Sequence, residues 1–168
     1  KVEAEAYAPL LHLLAEEGID VCLVEMPFHL AFFGMNKAGD IMQEHPYSHW
    51  FVGGHSLGGA MAANYAANHA EQLTGVILCA AYPTKSLEKH LVEISIYGSE
   101  DGVLDMDKVA AGKSYAPEAF CECVIEGGNH AQFGNYGAQQ GDGIALISAE
   151  DQQQQAAEFI VCHALPQD

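Results

Sequence analysis

The residues best suited to chemistry stand in one short run, Gly54-His55-Ser56-Leu57-Gly58. An apolar stretch at 50–53 precedes this run, and an Ala-rich segment with helical character, 57–69, follows it. A serine between two glycines in a strand–turn–helix setting predicts a nucleophile elbow, a turn so tight that side chains at both glycine positions would collide. Its strained backbone presents the hydroxyl, and the N–H groups that begin the helix suit a developing oxyanion.

A carboxylate pair and a histidine occupy matching positions farther along the chain. Glu100 and Asp101 follow a strand predicted at 92–97, and His130 follows a strand predicted at 121–126. Because the carboxyl ends of parallel strands lie at one edge of a sheet, we expect these groups to meet the elbow serine there. The order serine, carboxylate, histidine along the chain is that of one type of catalytic triad.

Each of these residues has a chemical role to fill. Ser56 is the predicted nucleophile, with a simple helix cap as the alternative for its hydroxyl. His130 is the predicted general base, since an unperturbed imidazole with a pKa of about 6.5 exchanges protons near neutrality. Asp101 would orient His130, and Glu100 is the alternative acid. The backbone N–H of Leu57 is assigned to the oxyanion hole.

Composition narrows the range of partners. Lys and Arg together number 6 against 23 Asp and Glu, and the formal net charge of −17 argues against nucleic acid as a partner. His45, His49 and His55 share no helix or strand face, so neither a metal nor another cofactor is expected, and His55 is interpreted as a packing residue. The five cysteines, an odd number, are interpreted as free thiols.

The elements that must position the reactive groups alternate along the chain. Helices are predicted at 3–17, 36–45, 57–69, 105–112 and 148–165. Strands are predicted at 20–25, 50–53, 75–81, 92–97 and 121–126. This alternation predicts one α/β domain over residues 1–168, built on a parallel sheet with helices on both faces. The Gln run 152–155 is interpreted as the solvated side of the last helix.

Three segments of the chain resemble a known family. They are the elbow run, the pair Met26-Pro27, and the long motif Gly127 to Gly137 followed by Gln140 to Gly143. Together they resemble a group of small bacterial serine hydrolases in the α/β-hydrolase superfamily. The resemblance implies that fold and the hydrolysis of a small-molecule carboxylic ester through an acyl-enzyme, with lactone, thioester and peptide substrates as alternatives. It also favours Asp101 as the acid, because Gly-x-x-Asp after the strand is usual in the family.

The same resemblance directs expectations for the substrate pocket. Four apolar side chains are expected to line it, with ordinary packing as the alternative: Met26, Phe28, Phe33 and Phe133. Only the nine residues 83–91 separate the strand ending near Tyr82 from the strand that begins at Val92, so no cap domain is expected.

One departure from the family concerns the start of the chain. In the superfamily, a strand and a glycine-containing loop precede the helix that begins here near Glu3, and that loop supplies a second oxyanion N–H. We therefore expect the chain to be the C-terminal part of a longer protein, with the extra strand lying between 21–25 and 50–53. Alternatively, these two strands pair directly. If the second N–H donor of the oxyanion hole is missing, the alternative function is a non-catalytic binding module on a hydrolase scaffold.

Location and assembly have weaker signatures. The residues present carry no signal-peptide pattern, which favours the cytoplasm, whereas the start at Lys1 rather than Met leaves room for an upstream signal or anchor. No pattern in the sequence indicates an oligomeric state.

Overall fold

The computed structural model describes residues 2–24 and 37–165 of the 168-residue chain. A four-stranded parallel sheet in the order β1-β2-β3-β4 forms its centre. The strands are β1 Phe51–His55, β2 Gly75–Cys79, β3 Val92–Gly98 and β4 Ala119–Ile125. Each strand pairs with the next one along the chain, so every connection crosses back over a face of the sheet.

Helices cover both faces of this sheet, as predicted. They are α1 Ala8–Glu16, α2 Lys37–Glu44, α3 Leu57–Asn68, α4 Met106–Gly112 and α5 Ala149–Ala164. Short 3-10 turns occur at Ala4–Tyr7, Ala70–Gln72, Lys113–Tyr115 and Ala131–Phe133. On one face α3 packs on β1 and β2, and on the other α5 packs on β3, β4 and α1. None of the helices described here is long and apolar enough to cross a membrane.

Alternating side chains give the sheet one hydrophobic core on each face. Ile94 and Ile96 of β3 and Ile125 of β4 join α1 and α5 in the first core. Val76 and Leu78 of β2 join α3 in the second. β2 is buried on both faces and its sequence is an apolar run, whereas β3 also carries the polar residues Glu93 and Ser95 on its second face.

Local signals set the ends of the helices. Gly18, in the left-handed region with a φ of 84°, follows α1. The Asp105 carboxylate accepts the Lys108 N–H at the start of α4, and the Ser148 hydroxyl accepts the Asp151 N–H over 3.0 Å at the start of α5. The predicted helices and the last four predicted strands are confirmed, with ends that differ by a few residues.

The first predicted strand is wrong over the part that the structure describes. Residues 20–24 form no strand, and among the described strands β1 lies at the edge of the sheet and pairs with β2 alone. The alternative of direct pairing between 21–25 and 50–53 is therefore wrong for residues 21–24, and no segment of the described ranges fills the place beside β1. Without a hydrogen-bonded neighbour this segment forms no ladder, and the side chain of Leu23 is 45% exposed.

A buried carboxylate lies on β3, on the face toward α4. Glu93 is 2% exposed, and its Oε2 atom has no hydrogen-bond partner in residues 2–24 and 37–165. It faces a small cavity that Ser95 and Lys113 also line. Burial, followed by the neighbouring Glu122 carboxylate, raises the pKa of Glu93 from 4.5 to about 7. Ionisation of this side chain therefore works against the folded state.

The Glu93 carboxyl predicts a stability that declines as pH rises. Its folded-state pKa lies above its unfolded value, so its stabilising contribution is complete below pH 4.5 and is lost as pH rises through about 7. We expect Glu93→Gln to flatten the decline in the free energy of unfolding between about pH 5 and 8, by up to about 3 kcal/mol. Urea denaturation measures the slope, with the exposed Glu118→Gln as the control. An unchanged slope in Glu93→Gln would contradict the assigned burial.

Candidate active site

The predicted nucleophile lies at the turn between β1 and α3. Ser56 has a φ of 54° and a ψ of −120°, a left-handed conformation that residues with side chains rarely adopt. Its N–H donates to the Cys79 carbonyl oxygen over 2.9 Å, and its carbonyl oxygen accepts the Ala60 N–H over 3.0 Å. Within the described chain the Ser56 hydroxyl makes no capping hydrogen bond to α3, so the helix-cap alternative lacks its defining contact.

The glycines of the elbow differ in whether a β-carbon would fit at their positions. A β-carbon at Gly54 would overlap the Gly58 backbone and lie 2.7 Å from the Gly59 nitrogen. A β-carbon at Gly59 would lie 2.5 Å from the Ala81 side chain. One at Gly58 would meet no described atom within 4 Å, so the predicted collision is correct for Gly54 and wrong for Gly58. The close approach of α3 to the sheet depends on Gly54 and Gly59.

Asp101 and His130 form a buried, hydrogen-bonded pair. His130 Nδ1 lies 2.8 Å from Asp101 Oδ2, and each side chain is 1% exposed. Asp101 Oδ1 accepts the N–H groups of Val103 at 2.9 Å and Leu104 at 2.7 Å. Burial opposes ionisation of Asp101, but these hydrogen bonds, led by the one from His130, outweigh it and hold the pKa of the carboxyl below its usual value. The ionised carboxylate favours the tautomer with its proton on Nδ1.

The adjacent carboxylate takes a different direction. Glu100 Oε1 accepts a hydrogen bond from the Ser99 hydroxyl at 3.1 Å. Glu100 and Asp101 lie in the turn beyond β3, and their carboxylates leave this turn in different directions. The structure places Asp101, and not Glu100, against His130.

The second nitrogen of His130 is the atom through which a general base would act. His130 Nε2 is buried and has no hydrogen-bond partner in the described part of the chain. Ser56 is therefore not hydrogen-bonded to it here, although the residue before the serine, His55, contacts the His130 ring with centroids 4.5 Å apart. Catalytic hydrogen bonds often tighten only when substrate is bound, and Nε2 is free to accept a proton.

His55 packs directly onto this candidate base. Its ring centroid lies 4.5 Å from that of His130 and 5.5 Å from that of Phe133. Its Nδ1 shares a hydrogen bond of 2.9 Å with the Tyr7 hydroxyl. Burial, followed by the nearby His130, lowers the pKa of His55 to about 3, so this ring is neutral at physiological pH. His55 is a packing residue, as predicted, but the sequence did not indicate that it would pack against His130.

The structure places the other predicted site residues in different surroundings. Leu57 begins α3 with its side chain 57% exposed, and its N–H lies in the first turn, where amides have no acceptor within the helix. Phe133 is fully buried in the core beside α5, so it supports the site from inside rather than lining a pocket. Met26, Phe28 and Phe33 lie outside the described residues.

Two glutamines of α5 join the site unexpectedly. Gln152 is fully buried, accepts the Asn129 N–H at 2.9 Å and donates to the Asn129 carbonyl oxygen at 2.8 Å. Gln153, 3% exposed, donates to the Gln132 carbonyl oxygen at 2.9 Å. The interpretation of the Gln run as a solvated face is wrong for these two, which brace the backbone on both sides of His130. A run of identical residues contains no periodicity that separates buried members from exposed ones.

The remaining metal-binding and thiol groups form no second centre in the described ranges. No three His, Cys, Asp or Glu side chains there are grouped as metal ligands would be. The five cysteines are free thiols, as predicted. Burial raises the pKa of Cys79 to about 12, so this thiol is protonated and unreactive at neutral pH.

The sequence and the fold both have relatives among known proteins. A sequence model of the "Alpha/beta hydrolase family" matches residues 1–154 of this chain. No curated protein matches the chain. The family match thus spans the sheet, the elbow and the histidine loop.

Several solved structures have a similar fold. A monoacylglycerol lipase from Paleococcus ferrophilus superposes with a TM-score of 0.69 at 15% identity, over 94% of this chain and 89% of that chain. The esterase domain of a Rhodothermus marinus protein superposes with a TM-score of 0.70 at 11% identity, over 96% and 80%. An alpha-beta serine hydrolase homologue from Coxiella burnetii superposes with a TM-score of 0.59 at 13% identity, over 94% and 76%. At such identities the likeness concerns the fold alone.

Proposed function

The chain belongs to the alpha/beta hydrolase family, and from that membership we propose that it is a serine hydrolase that cleaves a carboxylic ester or related acyl bond. The observation that carries the proposal is the buried Asp101–His130 hydrogen bond of 2.8 Å at the sheet edge where Ser56 stands in its strained turn. A residue needed only for packing would require neither the strained conformation nor a buried, ionised partner for the histidine.

The proposed reaction uses these groups in sequence. Ser56 Oγ attacks the acyl carbon while His130 Nε2 accepts the hydroxyl proton, and Asp101 stabilises the imidazolium that forms. The Leu57 N–H donates to the developing oxyanion. His130 then protonates the departing alcohol. A water molecule gives a proton to the same nitrogen as its oxygen attacks the acyl carbon, and His130 returns this proton to Ser56 Oγ as the acid leaves.

Two considerations support a neutral, small-molecule ester as the substrate. Among the proteins with a similar fold are a monoacylglycerol lipase and an esterase domain. The formal net charge of −17 disfavours strongly anionic acyl donors. Lactones, thioesters and peptides would use the same machinery.

A non-catalytic binding module is the second candidate function. The observation that favours it is that Ser56 and His130 share no hydrogen bond within the described chain. In such a module the elbow would persist as a structural turn, and the Ser56 hydroxyl would be no more reactive than any other serine.

A fluorophosphonate probe distinguishes the two candidates because it reacts with activated serines. We expect stoichiometric labelling of the folded protein, with the phosphonyl group on the peptide that contains Ser56 when the digest is examined by mass spectrometry. Protein unfolded in urea before exposure is the control, since it retains the serine but not its environment. A folded protein that resists the probe would favour the binding module.

A further inference from the structure

We propose that Asp142 is a positioning residue that fixes His130 relative to the loop that carries Asp101, a role that rests on the serine hydrolase function proposed above. Asp142 lies between Gly141 and Gly143, in the irregular segment that follows the histidine loop. Its carboxylate hydrogen-bonds to backbone N–H groups of the two loops on which the base and the acid stand.

The carboxylate of Asp142 bridges these loops with both of its oxygens. Oδ1 accepts the N–H groups of His130 at 3.1 Å and Gly102 at 3.2 Å. Oδ2 accepts the N–H of Ala131 at 2.8 Å. Oδ1 also accepts the N–H of the adjacent Gly143 at 2.8 Å. One side chain therefore holds the backbone of the base and the backbone of the residue directly after the acid.

The acid loop and the 141–143 segment that carries Asp142 meet so closely that glycine is required on both. A β-carbon at Gly102 would lie 2.6 Å from the Gly141 oxygen and 2.8 Å from the Gly143 nitrogen. A β-carbon at Gly143 would overlap the carbonyl oxygen of Glu100. A second link lies nearby, where the Glu100 N–H donates to the Gly128 carbonyl oxygen over 2.8 Å. The carboxylate thus lies where its own segment packs against the acid loop, close to the hydrogen bond that joins the acid loop to the histidine loop.

The contacts of Asp142 suit a side chain that presents an acceptor on each of its two terminal atoms. The groups that hydrogen-bond to Asp142 are N–H donors, and a carboxylate offers only acceptors. An asparagine would turn an NH₂ group toward at least one of these N–H groups and would lose the stronger, charge-assisted hydrogen bonds.

A positioning role and a purely structural role differ in what they predict. If Asp142 only stabilised the fold, its replacement would lower stability and leave the His130–Asp101 hydrogen bond unchanged in molecules that remain folded. If it positions the base, that 2.8 Å hydrogen bond lengthens in the folded molecules themselves. A displacement of about 1 Å is enough to lower a catalytic rate by about 10²-fold.

The test compares Asp142→Asn with the wild type and with a control, Lys113→Met, which breaks the 2.7 Å ion pair to Glu122. The first readout is the downfield proton resonance of His130 Nδ1–H, which a short hydrogen bond to a carboxylate produces. The second is steady-state hydrolysis of p-nitrophenyl acetate. We expect Asp142→Asn to shift that resonance upfield or abolish it, and to lower kcat about 10²-fold at a nearly constant KM. Lys113→Met should leave both the His130 Nδ1–H resonance and kcat at their wild-type values.

A second variant tests the same contact without replacing the Asp142 carboxylate. Gly102→Ala forces the acid loop away from the 141–143 segment that carries Asp142 without altering any charge, and we expect it to act in the same direction on the resonance and on kcat. A wild-type resonance and kcat in Asp142→Asn would overturn the positioning role, and so would an equal loss of the resonance in Lys113→Met. The resonance needs no substrate: if the wild type cleaves no ester but the resonance still shifts in Asp142→Asn, the hydrolase function fails while the positioning role stands.

Discussion

Replacing Ser56 with alanine is expected to lower the rate of p-nitrophenyl ester hydrolysis by about 10⁴-fold or more while the fold is retained. The change removes the atom that would attack the acyl carbon. It removes little else, because the hydroxyl makes no capping hydrogen bond to α3 in the described chain. We expect the free energy of unfolding to change by less than about 0.5 kcal/mol, as at other positions where no packing or hydrogen bond is lost. Steady-state kinetics and urea denaturation of the same preparation measure the two quantities.

Ser86 offers a matched control for this substitution. It is an exposed serine in the connection between β2 and β3, so Ser86→Ala removes a hydroxyl that is no part of the proposed catalytic groups. Its activity should equal that of the wild type. If Ser56→Ala retained a rate within about tenfold of the wild type, the nucleophile would have to be assigned elsewhere, since nucleophile removal costs far more in known serine hydrolases.

Replacing Asp101 with asparagine is expected to lower the rate by about 10³- to 10⁴-fold. An asparagine retains an oxygen that can accept the N–H groups of Val103 and Leu104, so the acid loop keeps its shape. Its amide nitrogen, however, would face His130 Nδ1 in place of Oδ2 and would favour the tautomer with the proton on Nε2. That tautomer cannot accept the proton of Ser56.

Glu100→Gln is the matched control for this second experiment. Glu100 carries the same type of carboxylate one residue earlier, but the structure directs it toward the Ser99 hydroxyl. We expect Glu100→Gln to change kcat only slightly. A reversed order, with Glu100→Gln the more damaging variant, would make Glu100 the orienting acid and would contradict the contact seen here.

Most of the secondary structure could be predicted because its causes are local. An apolar run marked β2, alternating apolar residues before the turn at Gly98 marked β3, and Ser148 marked the start of α5. The segment 20–24 shows where such reasoning stops. Its apolar residues have the composition of a strand, but a strand exists only when a neighbour supplies hydrogen bonds, and no neighbour is present in the described ranges.

The approximate place of the candidate site followed from a general rule of parallel sheets, since the carboxyl ends of strands share one edge. The choice between Glu100 and Asp101 did not follow from that rule. Two adjacent carboxylates are equivalent in type, and only the path of the chain beyond β3 determines which one faces His130.

The sequence by itself determined the elbow through the spacing of near neighbours, the order of the reactive residues directly, and the parallel α/β architecture through the alternation of predicted strands and helices. The tertiary structure alone decided what surrounds the histidine: the ring of His55, the amide of Gln152 and the carboxylate of Asp142. These contacts join residues that are 12 or more positions apart, on loops and helices whose relative placement comes from packing. Local patterns contain no information about such distances, and a polar side chain that will be buried there looks the same as one that will face water.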